Sequence, residues 1–292
     1  MKRELNSARF PSMCEKIVGY KSIGIDNLRK IGMNLINDNE KMTDDEVVDA
    51  ISMMIAGNSK IYSKRLSKDN IWWRARKVSK DEIKEHLVDL IYPPINIVKV
   101  GRANFDKSQV LYASRSINTA VSELFPSCGD IFQLIGLAPK DDSFPGGHIV
   151  GEVSQCYRSG ISSYFDKAFA DEMLGHLHED GNILNAIYCD SVMSRLFRVS
   201  DFSLYPNIYN ITSLYSEIFF NIMRDHKSIM YPSVRYENGM NIAIKKETFD
   251  TYFEVKMASV VRISIDLDFG IYGFELIKES KSIDNKGKIS WR

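Results

Sequence analysis

The chain has 292 residues, a length that fits one main domain with an extension or insertion and that can bury a sizeable core. Lys and Arg number 38, as do Asp and Glu, so the formal net charge is zero and no nucleic-acid or anionic-membrane partner is indicated. The four cysteines are scattered without a CxxC pair, and no signal-peptide or membrane-spanning run is evident, so we expect a cytoplasmic protein with reduced thiols and no zinc site.

The first 68 residues are predicted to form a helical extension. Apolar residues from Ile25 to Leu35 recur near the helical period. Thr43 and Glu46 then form a capping-box pattern ahead of a second helix, which we expect to end at Gly57-Asn58. We expect residues 1–68 to dock on the main domain and to carry no chemistry; a separate recognition module is the alternative.

The pattern changes near residue 70, where the predicted catalytic domain, residues 69–292, begins. We expect a strand at 71–78, a helix at 78–91, a strand at 109–114, a helix from Ser116 that Pro126 closes, and a strand at 130–139. Residues 140–160 are rich in Gly, Ser and Pro and predict a loop. The fold class is therefore predicted to be α+β.

The second half of the chain is predicted to enlarge this domain with helices. Helical periodicity dominates residues 161–228. A strand, a turn at Asn238-Gly239 and another strand follow, and the alternation in residues 257–283 predicts a hairpin. The polar tail at 285–292 is expected to fray.

Three residues between positions 101 and 123 suggest a ligand pocket. Gly101 allows close backbone approach, so that Arg102 can form paired hydrogen bonds to a phosphate or pyrophosphate. Tyr112 ends an apolar strand, where its ring can stack on a flat heteroaromatic group. Glu123 falls on the inward side of the next predicted helix, and a carboxylate there is either paired or functional. Taken singly, Arg102 also fits a surface turn and Tyr112 a core position.

Two further segments have a similar character. Arg74 and Arg76 stand in an aromatic strand, and we expect them to point to opposite faces, so that at most one of them reaches the pocket. Ser233 follows Pro232 after the helical stretch. It can hydrogen-bond a sugar or an amide, although a turn or cap role is the ordinary alternative.

Together these segments resemble the RES domain family, which is named for an arginine, a glutamate and a serine. The family's aromatic-Arg-x-Arg motif is matched by Trp73-Arg74-Ala75-Arg76, and its Gly-Arg, Tyr-Ala-Ser and Thr-Ala…Glu elements by residues 101–123. Its late Pro-Ser pair is matched by Pro232-Ser233, followed by Asn241 before an apolar run. The resemblance covers residues 70–262, and the three motifs occur in the family's order.

This resemblance implies an ADP-ribosyltransferase-like fold, with small β-sheets that face each other across an NAD cleft. It implies that NAD is the substrate, that the nicotinamide–ribose bond is cleaved without a metal, and that the protein is a bacterial toxin with a cognate antitoxin as partner. Glu123 would stabilise positive charge that develops on the ribose. The rest of NAD would be bound by Tyr112, Ser233, Arg102 and either Arg74 or Arg76.

The acceptor of ADP-ribose stays open at this point, as does the oligomeric state. Water or phosphate would make the protein an NAD glycohydrolase or phosphorylase, whereas a macromolecular acceptor would make it an ADP-ribosyltransferase. A catalytically silent nucleotide sensor is a third hypothesis, because Ala103 stands where the family has a bulky residue.

Other motifs predict chemistry less well. His176 and His178 have metal-like spacing but lie in a polar helix end, and the Gly146-Gly147 pair lacks the longer pattern of a phosphate loop. Cys128 and Cys156 have no base nearby in sequence, which disfavours them as nucleophiles.

Overall fold

A computed structural model describes residues 23–57, 63–178, 183–200, 207–222 and 228–292. The protein is α+β, with helices and a largely antiparallel set of strands. It forms two compact units, each assembled from separate stretches of chain. The first unit takes its residues from 1–64, 99–108 and 148–232, and the second from 65–98, 109–147 and 233–292. Within the described ranges, no helix is both long and apolar enough to cross a membrane.

The elements are numbered here in chain order. The helices are α1 (Ile25–Asn37), α2 (Asp44–Gly57), α3 (Val88–Ile91), α4 (Ile117–Ser122), α5 (Glu152–Ser159), α6 (Lys167–His178), α7 (Ile183–Phe197), α8 (Ile208–Ile222) and α9 (Lys246–Tyr252). The strands are β1 (Ser63–Lys64), β2 (Trp72–Val78), β3 (Val110–Ser114), β4 (Ile131–Pro139), β5 (Gly147–Ile149), β6 (Ser228–Pro232), β7 (Met240–Lys245), β8 (Phe253–Asp266), β9 (Tyr272–Ile283) and β10 (Ile289–Trp291). Short 3-10 turns occur at Lys80–Glu82 and Ile95–Ile97.

The first unit is mainly helical and includes the N-terminal helices, which pack against α7. The Asn185 amide donates to the carbonyl of Ile23 (3.1 Å), and the Tyr188 hydroxyl donates to the carbonyl of Arg29 (3.1 Å). A Cβ at Gly32 would lie 2.7 Å from the Tyr188 hydroxyl and 2.8 Å from Val192 Cγ2, so glycine favours the close approach of α1 to α7. The helices predicted in residues 25–57 and 161–228 are confirmed where the structure describes them.

The capping box predicted before α2 is also confirmed. The Thr43 N–H donates to Glu46 Oε2 (2.6 Å), and the Glu46 N–H donates to Thr43 Oγ1 (3.3 Å). These two bonds satisfy backbone donors that the first turn of a helix leaves unpaired. The helix ends at Gly57 as expected, whereas Asn58 lies outside the described residues.

The second unit is built on an antiparallel sheet with strand order β7-β3-β2-β4-β8-β9-β10. Ser114 of β3 lies opposite Trp73 on one side and Asn241 on the other. The predicted strands in residues 70–139, the strand after Asn238-Gly239 and the late hairpin are confirmed as β2, β3, β4, β7 and the β8–β9 pair.

The sheet of the second unit has two buried faces. Residues opposite each other in paired strands share a face, so Trp73, Ser114 and Asn241 lie on the same one. We call it the α4 face, because Trp73 packs there against an apolar cluster that contains Val121 of α4 and Phe132 of β4. On the other side, the α3 face, a second apolar cluster is formed by Leu90, Ile135, Ala258 and Ile289.

Two corrections to the sequence predictions have one cause. Residues 78–91 form only a 3-10 turn and the short α3, not one helix, and the tail forms β10 rather than fraying. The backbone of Lys84 exchanges hydrogen bonds with the Gln133 side chain, and the Leu87 N–H donates to Gly287 (2.8 Å). These bonds join chain segments that are far apart in sequence, so they outweigh the local helical period.

A third correction concerns residues 140–160, which contain β5 and α5 instead of a continuous loop. The helix α5 begins after Gly151, which has a φ of 92°. Its first turn is capped by Asp190 of α7, which accepts hydrogen bonds from the N–H groups of Gly151 (2.7 Å) and Ser154 (2.8 Å). A cap that comes from 36 residues away leaves no local pattern in the sequence.

The Asp190 cap makes stability depend on pH. Burial raises the pKa of Asp190 to about 6, while the backbone N–H groups of Ser154 and Gly151 act in the opposite direction. Because an unfolded Asp titrates near 3.9, this carboxyl adds stability that is complete below that value and lost as the pH rises through about 6. We expect the wild type to gain stability relative to Asp190→Asn as the pH falls from about 7 to about 4. The difference between their free energies of unfolding should change by up to roughly 3 kcal/mol. Urea denaturation of both proteins measures it, and parallel pH curves would contradict the assignment.

Candidate active site

Glu123 is placed by the short helix α4. The Ser116 hydroxyl accepts the N–H of Thr119 (3.1 Å) and caps the start of this helix. The buried residues of this helix include Thr119, Ala120 and Val121. Glu123 is the C-cap residue, so it lies just past the helix end and is half-buried.

Ser233 is placed by a tight turn that packs on α4. Its N–H donates to the carbonyl of Gly239 (2.7 Å), and its hydroxyl accepts the N–H groups of Arg235 (3.1 Å) and Tyr236 (3.0 Å). A Cβ at Gly239 would lie 2.8 Å from Thr119 Cγ2, so a glycine here lets the turn approach the helix. The preceding Asn238 has a φ of 57°, which asparagine tolerates better than most residues. The predicted turn at Asn238-Gly239 is confirmed.

Glu123 and Ser233 belong to one hydrogen-bonded cluster. Glu123 Oε1 accepts the Ser233 hydroxyl (2.7 Å) and the Asn241 amide (2.7 Å). The Oδ1 atom of Asn241 in turn accepts the hydroxyl of Ser114 (2.6 Å). Ser114, Ser233 and Asn241 are each at most 8% exposed, so these bonds hold the carboxylate in one orientation. We call these four residues the Glu123 cluster.

The two oxygens of Glu123 differ in their surroundings. Oε1 accepts both side-chain donors, whereas no group among the described residues donates to Oε2. Such a half-buried carboxylate is held by one oxygen, and its other oxygen can accept a hydrogen bond from a hydroxyl group of a bound ligand. It can also stabilise a positive charge that develops beside it.

The Ser233 hydroxyl is fully engaged within the protein. A serine hydroxyl has one donor and two acceptor sites, and those of Ser233 are used by Glu123, Arg235 and Tyr236. The geometry therefore gives Ser233 the role of orienting Glu123. The direct contact with a sugar or amide that the sequence suggested would require one of these bonds to break.

Tyr112 lies on the same sheet face as the cluster. It is two residues before Ser114 on β3, and side chains two apart on a strand share a face. Its partner in the register is Ala243, a small residue, and Tyr112 is half-buried. The structure therefore brings Tyr112 to the α4 face together with Ser114 and Asn241.

Arg74 and Arg76 lie on the other side of the sheet. Arg74 is opposite Ile135, which faces the α3 cluster, and its guanidinium donates to the carbonyls of Leu90 (2.8 Å) and Tyr112 (3.0 Å). Arg76 donates to the neighbouring carbonyl of Asp89. Burial, and secondarily the charge of Arg76, lowers the pKa of Arg74 to about 10.

The expectation that these two arginines point to opposite faces is wrong. Positions two apart on a strand share a face, and both side chains bind consecutive carbonyls of α3. They fasten α3 to β2 on the face that lies away from the Glu123 cluster. The structure thus does not bring Arg74 or Arg76 together with Glu123.

Arg102 belongs to the first unit, at the C-terminal end of α7. Its Nη1 donates to the carbonyl of Phe197 (2.7 Å) and its Nη2 to the carbonyl of Val199 (2.7 Å). The guanidinium also lies 5.5 Å from the ring centre of Tyr209. A cation at this position satisfies carbonyls that the end of a helix leaves unpaired.

The sequence did not predict three residues of the site, of which two belong to the Glu123 cluster and one lies beside it. Ser114 and Asn241 were quoted only as motif positions, although a polar residue near the start of the otherwise apolar β7 is a visible signal. Arg235 is the third. It is exposed, and its guanidinium lies 4.0 Å from the ring centre of Phe125, two residues beyond Glu123. A cation therefore lies on the same turn as Ser233.

The other sequence candidates are not assembled into sites. His176 lies 3.9 Å from Glu172, one helical turn away, and no metal-binding group of three or more His, Cys, Asp or Glu occurs among the described residues. Cys128 is exposed, whereas burial raises the pKa of Cys156 to about 12, which suppresses its thiolate. Cys14 lies outside the described residues.

Searches of protein-family models, of curated proteins and of solved structures find no match to this chain.

Proposed function

We propose that the protein consumes NAD by cleaving its nicotinamide–ribose bond, with Glu123 as the catalytic carboxylate. The observation that supports this best is the hydrogen bonding of Glu123. Two buried donors hold Oε1, while Oε2 has no donor among the described residues. Such a carboxylate suits the role that the resemblance implies for Glu123, which is to stabilise positive charge on the ribose.

The chemistry of the bond explains why such a carboxylate is useful. Loss of nicotinamide leaves positive charge on the ribose, in an oxocarbenium-like transition state similar to that of glycoside hydrolysis. A fixed carboxylate stabilises that state more than the uncharged ribose of the ground state, which lowers the barrier. Glu123 Oε2 would accept a ribose hydroxyl, and Tyr112 would pack on nicotinamide or its ribose.

We add Arg235 as the phosphate contact beside Glu123. The resemblance gives this role to Arg102, but Arg102 belongs to the first unit, where its guanidinium donates to the carbonyls of Phe197 and Val199. Arg235 lies on the turn that carries Ser233, and no carboxylate pairs with it among the described residues. We expect Arg235→Ala to raise KM for NAD about tenfold with a smaller change in kcat, because a charge-assisted hydrogen bond to phosphate is lost. Steady-state kinetics measures this effect. The exposed Arg65 supplies the control variant Arg65→Ala, and an unchanged KM in Arg235→Ala would remove Arg235 from the proposal.

The remaining parts of the proposal rest on the resemblance. They are an ADP-ribosyltransferase-like core around an NAD cleft, a role as a bacterial toxin and inhibition by a cognate antitoxin.

The direct test is release of nicotinamide. Purified protein is incubated with NAD that carries a label in its adenosine half, and nicotinamide and labelled products are separated by chromatography. Nicotinamide with free ADP-ribose indicates hydrolysis, and ADP-ribose 1″-phosphate in phosphate buffer indicates phosphorolysis. Label that moves to a protein or other macromolecule in a cell extract indicates transfer. The absence of nicotinamide under all three conditions would overturn the proposal.

A nucleotide sensor without catalytic activity is the second candidate function. It was suggested by Ala103, and the structure shows where this residue lies. Ala103, the residue that departs from the family pattern, is fully buried rather than exposed to a ligand. Calorimetric binding of NAD without any release of nicotinamide would favour this function.

A further inference from the structure

A cavity in the first unit has a lining unlike that of the Glu123 cluster. Its volume is about 690 Å³, within the range of small-molecule sites, and it lies between α1, α5 and α7. The lining contains three arginines and four serines but no Asp or Glu. A cavity with this composition attracts an anion.

The sequence arranges these side chains by helical spacing. Ser191 and Arg195 of α7 are four residues apart, and Arg198 follows just past the helix end. The N–H of Arg198 still donates to the carbonyl of Ser194 (3.1 Å), which keeps the three residues on one side. On α5, Ser154 and Arg158 are four apart and face the same space. Two amphipathic faces therefore meet across one cavity.

The charges of this cavity are only partly balanced. Arg158 Nη2 donates to the Ser191 hydroxyl (3.0 Å). The Asp190 carboxylate, which interacts electrostatically with Arg158, is buried and accepts two backbone N–H groups. No carboxylate forms an ion pair with Arg195 or Arg198 among the described residues. Both are exposed at the rim, so their N–H donors can meet a ligand that enters from solvent.

The remaining wall is apolar and aromatic. Met33 and Ile36 of α1 line it, together with Val192 and Tyr188 of α7. Flat heteroaromatic rings pack well on such surfaces, whereas a free inorganic anion gains nothing from them. The lining therefore fits a molecule with a phosphate at one end and a ring at the other.

We propose that this cavity binds a nucleoside phosphate, with Arg158, Arg195 and Arg198 on the phosphate and the apolar wall on the base. Guanidinium groups bind phosphate by paired hydrogen bonds, and the hydroxyls of Ser194 and Ser200 supply further donors. All these residues belong to the first unit, whereas the Glu123 cluster belongs to the second. The site goes beyond NAD cleavage and does not depend on it.

The test is calorimetric titration with AMP, adenosine and pyrophosphate. It uses the full chain carrying Glu123→Gln, so that NAD cleavage, or its failure, does not affect the result. We expect one AMP per chain, bound at least about tenfold more tightly than adenosine, because adenosine lacks the phosphate. Arg195→Ala and Arg198→Ala should each weaken AMP at least about fivefold and leave adenosine unchanged.

The control is Arg65→Ala, which removes the same charge from an exposed position of the second unit. Melting temperatures of all variants establish that each one is folded, and Arg198→Lys should restore part of the affinity. Three outcomes would overturn the proposal: no binding of AMP, AMP affinity equal to that of adenosine, or equal losses in Arg65→Ala and the cavity variants. Tighter binding of a single-stranded oligonucleotide than of AMP would also overturn it, in favour of a nucleic-acid surface.

Discussion

Glu123→Gln should lower the rate of nicotinamide release at least about 100-fold, with little change in melting temperature. The amide oxygen of glutamine can still accept from Ser233 and Asn241, so the hydrogen bonds of the cluster are kept. Only the negative charge next to the ribose is lost. Since that charge acts mainly on the transition state, kcat should fall while KM for NAD changes little.

The matched control for this substitution is Glu237→Gln. Glu237 lies on the same turn as Ser233, four residues further along, and is exposed. It loses the same charge from the same region of the protein without touching the cluster. Equal rates in wild type and Glu123→Gln, or equal losses in the two glutamine variants, would contradict a catalytic role for Glu123.

Ser233→Ala should lower kcat about 10- to 100-fold and leave KM for NAD nearly unchanged. The Ser233 hydroxyl donates to Glu123 and accepts two backbone N–H groups. Its removal therefore frees the Glu123 carboxylate to change orientation but removes no contact with the substrate. The same change leaves the N–H groups of Arg235 and Tyr236 without their acceptor. It should therefore reduce the free energy of unfolding by about 1–2 kcal/mol.

Kinetics and denaturation of one preparation separate the two possible roles of Ser233. A rise in KM with an unchanged kcat would mean that Ser233 contacts NAD directly, as the sequence suggested, and would contradict the orienting role. Asn241→Ala supplies a second case, since it removes the other donor to Glu123 and should show the same pattern of kinetic loss.

Local sequence patterns predicted those parts of the fold that local bonds determine. The capping box of Thr43 and Glu46, the helix start at Ser116 and the turn at Asn238-Gly239 each use partners only a few residues apart. The errors arose where distant partners decide the structure. Gln133 bonds the backbone of Lys84 across 49 residues and replaces the predicted helix.

The site shows the same limit. The resemblance to the RES domain family, and no local pattern, predicted that Glu123 and Ser233 lie together although they are 110 residues apart. They could not show that the Ser233 hydroxyl is already occupied by backbone donors. For Arg74 the missing information was the strand pairing, which turns its side chain toward Leu90 and away from the Glu123 cluster.

The level of NAD in cells that express the protein tests the central claim most directly, because cleavage lowers it whether water, phosphate or a macromolecule takes the ADP-ribose. The wild-type chain and Glu123→Gln are induced to equal amounts, and NAD is measured in extracts over time. The account predicts that NAD falls in cells with the wild-type protein and stays at the uninduced level with Glu123→Gln. A constant NAD level with folded wild-type protein, or an equal fall with both proteins, would contradict it.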